Sequence, residues 1–100
     1  MSALPYIISK NAITDLEEIW LYSFQNWSTA QADRYYHLIW DEIKFICKNP
    51  GTGKSFEQFR KGYIASKVKS HLIFYRIKDN TIEIIRILHE RMDIENQLKK

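Results

Sequence analysis

The sequence predicts a single α+β domain over residues 1–100. Its parts are an N-terminal strand, an antiparallel helical hairpin packed on a small antiparallel sheet, a closing β-hairpin and a short C-terminal helix. Three observations carry this. Between Lys10 and Lys48, apolar residues recur every three or four positions in two blocks separated by only Trp27-Ser28. From Tyr63 the period changes to two, as on a pleated strand. Asp79-Asn80, a pair that tolerates positive φ, then divides the second region into two strands.

Each element has its own local signal. Leu4-Pro5-Tyr6-Ile7-Ile8 is a short β-prone run, and Pro5 near its start suits an edge strand. Ser9 or Asn11 offers an N-cap oxygen for a helix from about Lys10 to Asn26. Asp15, Glu17 and Glu18 lie early in it, where the helix dipole favours negative charge. Ala12, Leu16, Ile19 and Ser23 form one stripe of that helix; Ile13, Leu16, Trp20, Phe24 and Trp27 form an overlapping one.

Ser28-Thr29-Ala30-Gln31 reads as a capping box opening a second helix that runs to about Lys48, where Asn49-Pro50-Gly51 stops it. Ala32, Tyr35, Tyr36, Ile39, Ile43, Ile46 and Cys47 mark its buried side. Two helices with so short a link fold back on each other. Thr52 to Gly62 is expected to be loop or weak structure, and Tyr63 to Val68, His71 to Lys78 and Thr81 to His89 are expected to be strands.

A simple two-residue turn fixes an expected register. It pairs Ile77 with Ile82, Tyr75 with Ile84, Ile73 with Arg86 and His71 with Leu88. On the other face it pairs Arg76 with Glu83, Phe74 with Ile85 and Leu72 with Ile87. Both faces are then apolar and both need cover. The helices cover one. Glu90 to Lys100, apolar only at Met92, Ile94 and Leu98, is expected to leave the other open to a partner.

Composition is that of a soluble globular chain: 45% hydrophobic and 27% charged, with aromatic residues enough for a core. One cysteine, Cys47, excludes an internal disulfide framework and fits a reducing compartment. No apolar run nears the roughly 18 residues that span a bilayer, and the first residues carry no secretory signal pattern. A cytoplasmic protein without membrane contact is expected. The charge is uneven: residues 1–50 hold four basic and six acidic side chains, and residues 51–100 hold eleven basic and six acidic. A basic second half points to an anionic partner, nucleic acid or acidic protein.

Motifs for chemistry are sparse. Gly51-Thr52-Gly53-Lys54-Ser55 shares its ending with a phosphate-binding loop, but Ile46-Cys47-Lys48 occupies the place of the first glycine and lies in a helix. On the expected register His71 and His89 face opposite ways, so no metal site is expected. Cys47 beside Ile43 and Ile46 reads as a core thiol. A basic cluster remains at one end of the sheet: Arg60, Lys61, Lys67, Lys69, Arg86, His89 and Arg91. It could hold phosphate charge with His89 moving a proton, or it could dock a protein.

Several short stretches, in order, cover nearly the whole chain. They are Ala12-x-x-Asp15-Leu16-x-x-Ile19-x-x-Tyr22, Trp27-Ser28-x-x-Gln31-Ala32-x-x-Tyr35, Asn49-Pro50-x-x-Gly53, Arg60-x-Gly62-Tyr63, Ser70-His71-x-Ile73-Phe74-Tyr75-Arg76 and Ile87-Leu88-His89-Glu90-Arg91-Met92-Asp93. Together they resemble the RelE/ParE superfamily of type II toxin–antitoxin toxins, and the ParE branch, the plasmid stabilisation proteins, in particular.

The resemblance implies a bacterial cytoplasmic toxin that inhibits DNA gyrase and blocks replication. It implies action by binding rather than catalysis, no cofactor, no metal and no direct DNA binding by the toxin alone. It also implies a hetero-oligomer with a ParD-like antitoxin whose C-terminal segment folds on the toxin. The alternative is a RelE-like, ribosome-dependent mRNA endoribonuclease with His89, Arg86, Arg60 and Lys67 as its catalytic set. That pattern is weakened by the absence of a tyrosine after the last strand and by Glu90 and Asp93 beside its active end. The expected target-binding residues are Arg60, Lys61, Lys69, His89 and Arg91. The expected antitoxin-binding residues are Leu72, Phe74, Arg76, Ile85 and Ile87.

Overall fold

A computed structural model describes residues 3–99. The elements are β1 (Tyr6–Ile8), α1 (Lys10–Asn26), α2 (Thr29–Lys48), β2 (Lys54–Ser55), β3 (Ile64–Val68), β4 (His71–Lys78), β5 (Thr81–His89) and α3 (Ile94–Leu98). The sheet order is β1-β5-β4-β3-β2. The sheet is antiparallel except at one edge, where β1 runs parallel to β5 across Ile82–Ile84. The two-residue β2 falls inside the segment expected to be loop or weak structure.

The predicted helix starts hold. Ser9 caps α1 by accepting from the Ala12 N–H at 3.0 Å, and Ser28 caps α2 by accepting from the Gln31 N–H at 3.1 Å. Of the two stripes on α1, the first is the core one: Ala12 and Leu16 are buried, whereas Ile13, Phe24 and Trp27 are exposed. Ala12, Leu16, Ile39, Ile43, Ile46 and Cys47 pack on Ile73, Tyr75, Ile82, Ile84 and Ile87 of the sheet.

The second face is not open, contrary to expectation. Tyr63, Ala65, Phe74 and Leu88 form a smaller core closed by Leu98 of α3, with Phe56 and Ile94 packed against it. The chain's own tail and the loop after β2 thus cover this face. The fold has three layers, with a buried apolar cluster on each side of the sheet.

The expected register holds from the turn to Tyr75 and then fails. Asp79 and Asn80 both take positive φ, 52° and 56°, as the two-residue turn requires. Ile77 pairs with Ile82, Arg76 with Glu83 and Tyr75 with Ile84, but Phe74 then pairs with Arg86. Ile85 is the extra residue of a β-bulge. Beyond it every pair is offset by one: Ile73 with Ile87, Leu72 with Leu88, His71 with His89. Ile87 therefore lies on the helix side and Leu88 on the α3 side, the reverse of the expectation.

Gly53 explains the glycine-rich stretch without a phosphate. A Cβ there would sit 2.8 Å from both the Ala65 carbonyl oxygen and the Tyr75 hydroxyl. The buried Tyr75 hydroxyl in turn donates to the Pro50 carbonyl at 2.9 Å.

Candidate functional site: a cleft at the tip of the helical hairpin

The C-terminal half of α1, the N-terminal half of α2, the β3–β4 turn and the end of β5 enclose a cleft of about 940 Å³. Its walls are apolar and unusually bare. Trp27 is 71% exposed and Tyr22 65%, and Leu38 and Met92 are also exposed. Exposed apolar side chains grouped in one concavity mark a docking or ligand surface. Three cations, Arg34, Lys69 and Arg91, line the same cleft against Glu18.

Helical spacing accounts for this lining. Glu18, Tyr22 and Ser23 fall on one side of α1, and Gln31, Arg34, Tyr35 and Leu38 on one side of α2. Trp27 sits in the link between them. Lys69 comes from the two-residue β3–β4 turn, where it holds a left-handed φ of 54°. The bulge brings His89, and after it Arg91 and Met92, to this end of the sheet.

On the floor, His71 and His89 are ring to ring, with centroids 5.1 Å apart. This corrects their expected placement on opposite faces. Among the described residues no group of three or more His, Cys, Asp and Glu side chains is placed to hold a metal. The Tyr35 hydroxyl lies 2.5 Å from His71 Nδ1 and 3.2 Å from the Val68 carbonyl oxygen. Both contacts are satisfied when His71 Nδ1–H donates to the phenol oxygen and the phenol donates to the carbonyl. Burial, reinforced by the neighbouring His89, lowers the His71 imidazole to about 4, against the opposing pull of Asp15 and Glu90. His71 is therefore neutral at pH 7. His89 accepts the Arg91 N–H on Nδ1 at 3.1 Å, which leaves its proton on Nε2 in the neutral form.

The remaining sequence-derived residues divide clearly. Lys69, His89 and Arg91 meet in the cleft. Arg60 and Lys61 are exposed in the β2–β3 loop, outside it. Lys67 is engaged by Glu90 at 2.9 Å, which holds that carboxyl below its usual range. Arg76 pairs with Glu83. Arg86 is no free cation: its Nε and Nη2 donate to the two oxygens of Asp15 at 2.8 and 2.9 Å, and its Nη1 donates to the Gln97 carbonyl at 3.0 Å. In the expected antitoxin-binding set, Phe74 and Ile87 are buried, and Leu72 and Ile85 are half-buried under the second core. Phe74 and Ile87 offer no free surface.

Sequence reasoning missed Tyr22, Trp27, Arg34 and Leu38. The available signal was aromatic: Trp27 stands in a two-residue link, where a helix core cannot cover it. It also read Asp15 as a dipole acid, whereas Asp15 is buried and bonds Arg86.

Comparison with known proteins agrees with this architecture. Residues 6–94 match the family model described as "ParE toxin of type II toxin-antitoxin system, parDE". The chain is 39% identical over 94 residues to Toxin ParE1 of Caulobacter vibrioides, covering 94% of this chain and 97% of that one. It is 35% identical over 94 residues to Toxin ParE1 of Mycobacterium tuberculosis, covering 93% and 96%. A solved structure titled "Chromosomal ParDE TA system from P. aeruginosa" shares the fold, with a TM-score of 0.77 at 20% identity, over 87% of this chain and 96% of that one. The chain belongs to the ParE family of type II toxin–antitoxin toxins.

Proposed function

We propose that this ParE-type toxin acts by binding rather than by catalysis, with DNA gyrase as its target, and that an antitoxin silences it by filling the cleft. The observation that carries the binding reading is the state of the would-be catalytic groups. Of the ribonuclease set His89, Arg86, Arg60 and Lys67, Arg86 is bonded to Asp15 and Lys67 is paired with Glu90, while His89 lines the cleft and Arg60 stands outside it on an exposed loop, so the set does not converge on one site. A nuclease needs such groups free to meet phosphate and move protons. The bare aromatic walls and cationic rim instead suit a protein segment carrying apolar side chains and carboxylates. The gyrase assignment is supported by family: the relatives are ParE toxins.

The test is induced expression in bacteria with DNA and protein synthesis followed separately. Growth should stop with filamentation and a DNA-damage response while translation continues at first. Immediate translation arrest with cleaved mRNA overturns this in favour of the ribonuclease. His89→Ala sharpens the distinction. It should leave most of the toxicity, whereas loss of a proton-transfer group in a nuclease costs roughly 10²-fold or more.

A further inference from the structure

We propose that Asp15 and Arg86 form a register lock: they are positioning residues that fix the bulge in β5 and thereby place His89 in the cleft. The lock sits where the sheet loses an edge strand. β1 pairs with β5 only across Ile82–Ile84. Past that point α1 takes over the exposed edge. Ser9 Oγ donates to the Ile85 carbonyl at 2.6 Å, and the Ile87 N–H donates to Asp15 Oδ2 at 2.9 Å. The bulge occurs there, between these two bonds.

Burial alone does not choose this register. In the observed one, Ile84 and Ile87 face the helices and Leu88 faces α3. In the unbulged one, Ile84, position 86 and Leu88 would face the helices, and Ile85 and Ile87 would face α3. Apolar residues fill both faces either way, so patterning leaves the choice weakly specified. Arg86 breaks the tie. Unbulged, its guanidinium would enter the helix-side core. Bulged, it meets both Asp15 oxygens and the Gln97 carbonyl, with both charged side chains nearly shielded from water. The same one-residue offset pairs His89, rather than Leu88, with His71.

The lock is read from the fold; its effect on binding rests on the cleft being the docking site proposed above. The test is Arg86→Leu in the full chain, with Arg86→Lys as control, read by cross-strand NOEs without any partner. In Arg86→Leu, Ile73 should pair with position 86 instead of Ile87, and His71 with Leu88 instead of His89. The His71 imidazole should then titrate nearer its ordinary range than about 4. Arg86→Lys should keep the native pairs. Native pairs persisting in Arg86→Leu overturn the proposal. If Arg86→Leu does not fold, Asp15→Asn is read by amide exchange. Ile87 to His89 should exchange at least tenfold faster than in the native chain while Ile82 to Ile84 do not change, and unchanged exchange throughout overturns the lock. A slipped register with undiminished affinity for an antitoxin-derived acidic peptide supports the lock and overturns the docking reading.

Discussion

At the scale of single residues, His71 shows how burial converts a titratable group into a structural one. Its imidazole is lowered to about 4, first by burial and then by His89. A cation disfavoured in the folded state has a fixed consequence for stability. Below the ordinary histidine pKa of about 6.5 the unfolded chain takes up a proton that the folded chain refuses. Stability therefore falls as pH drops from about 6.5 to about 4, and this contribution levels off below that. Because the ring is only partly buried, solvent screening reduces the effect to about 1–2 kcal/mol. Urea denaturation at pH 7, 5.5 and 4.5 should show it, and His71→Gln should flatten the curve over that window. An equally steep curve in His71→Gln would move the effect to other groups.

Elements are legible where a periodic pattern and a capping residue agree. The two helices have both, and Ser9 and Ser28 start them. The Asp79-Asn80 turn is legible because few residue pairs accept two positive φ values. The second half of β5 is not, because Ile-Arg-Ile-Leu fills a sheet in either register and the deciding contact, Asp15 with Arg86, lies 71 positions apart in sequence. The cover of the second face is hidden for a related reason. Ile94 and Leu98 are few, but with Phe56 they suffice for a face carrying Phe74 and Leu88. The β3–β4 turn is also opaque, since lysine is not a residue that announces a left-handed backbone. Lys69 at φ 54° carries a conformational cost of about 1–2 kcal/mol that glycine avoids, partly offset by the freedom glycine gains when unfolded. Lys69→Gly should therefore stabilise the chain by about 0.5–1 kcal/mol in urea titrations while weakening capture of an acidic partner. A variant that gains stability and keeps full affinity would remove Lys69 from the docking rim.

Over the whole molecule, the basic excess of the second half points to an anionic partner, but charge in sequence does not reveal which cations act together. Folding sends Arg60 and Lys61 to an exposed loop and pairs Lys67, Arg76 and Arg86 internally. It gathers Lys69 and Arg91 with Arg34, a residue from the acidic half, around Trp27 and Tyr22. This division separates two roles in binding. Rim cations act at a distance and govern encounter, whereas desolvated aromatic anchors govern residence. Arg34→Glu and Arg91→Glu should each slow association with an acidic antitoxin segment by about tenfold at low salt, with little change in dissociation. The difference should shrink as salt rises to about 0.5 M, where the screening length falls below about 5 Å. Trp27→Ala should do the opposite, speeding dissociation by an amount worth about 2 kcal/mol or more with association nearly unchanged. Arg60→Glu and Lys61→Glu supply the control, since they change net charge equally but lie outside the cleft. Stopped-flow association and surface-plasmon dissociation rates separate the cases. If the loop variants slow association as much as the rim variants, only overall charge matters and the cleft is not where the partner lands.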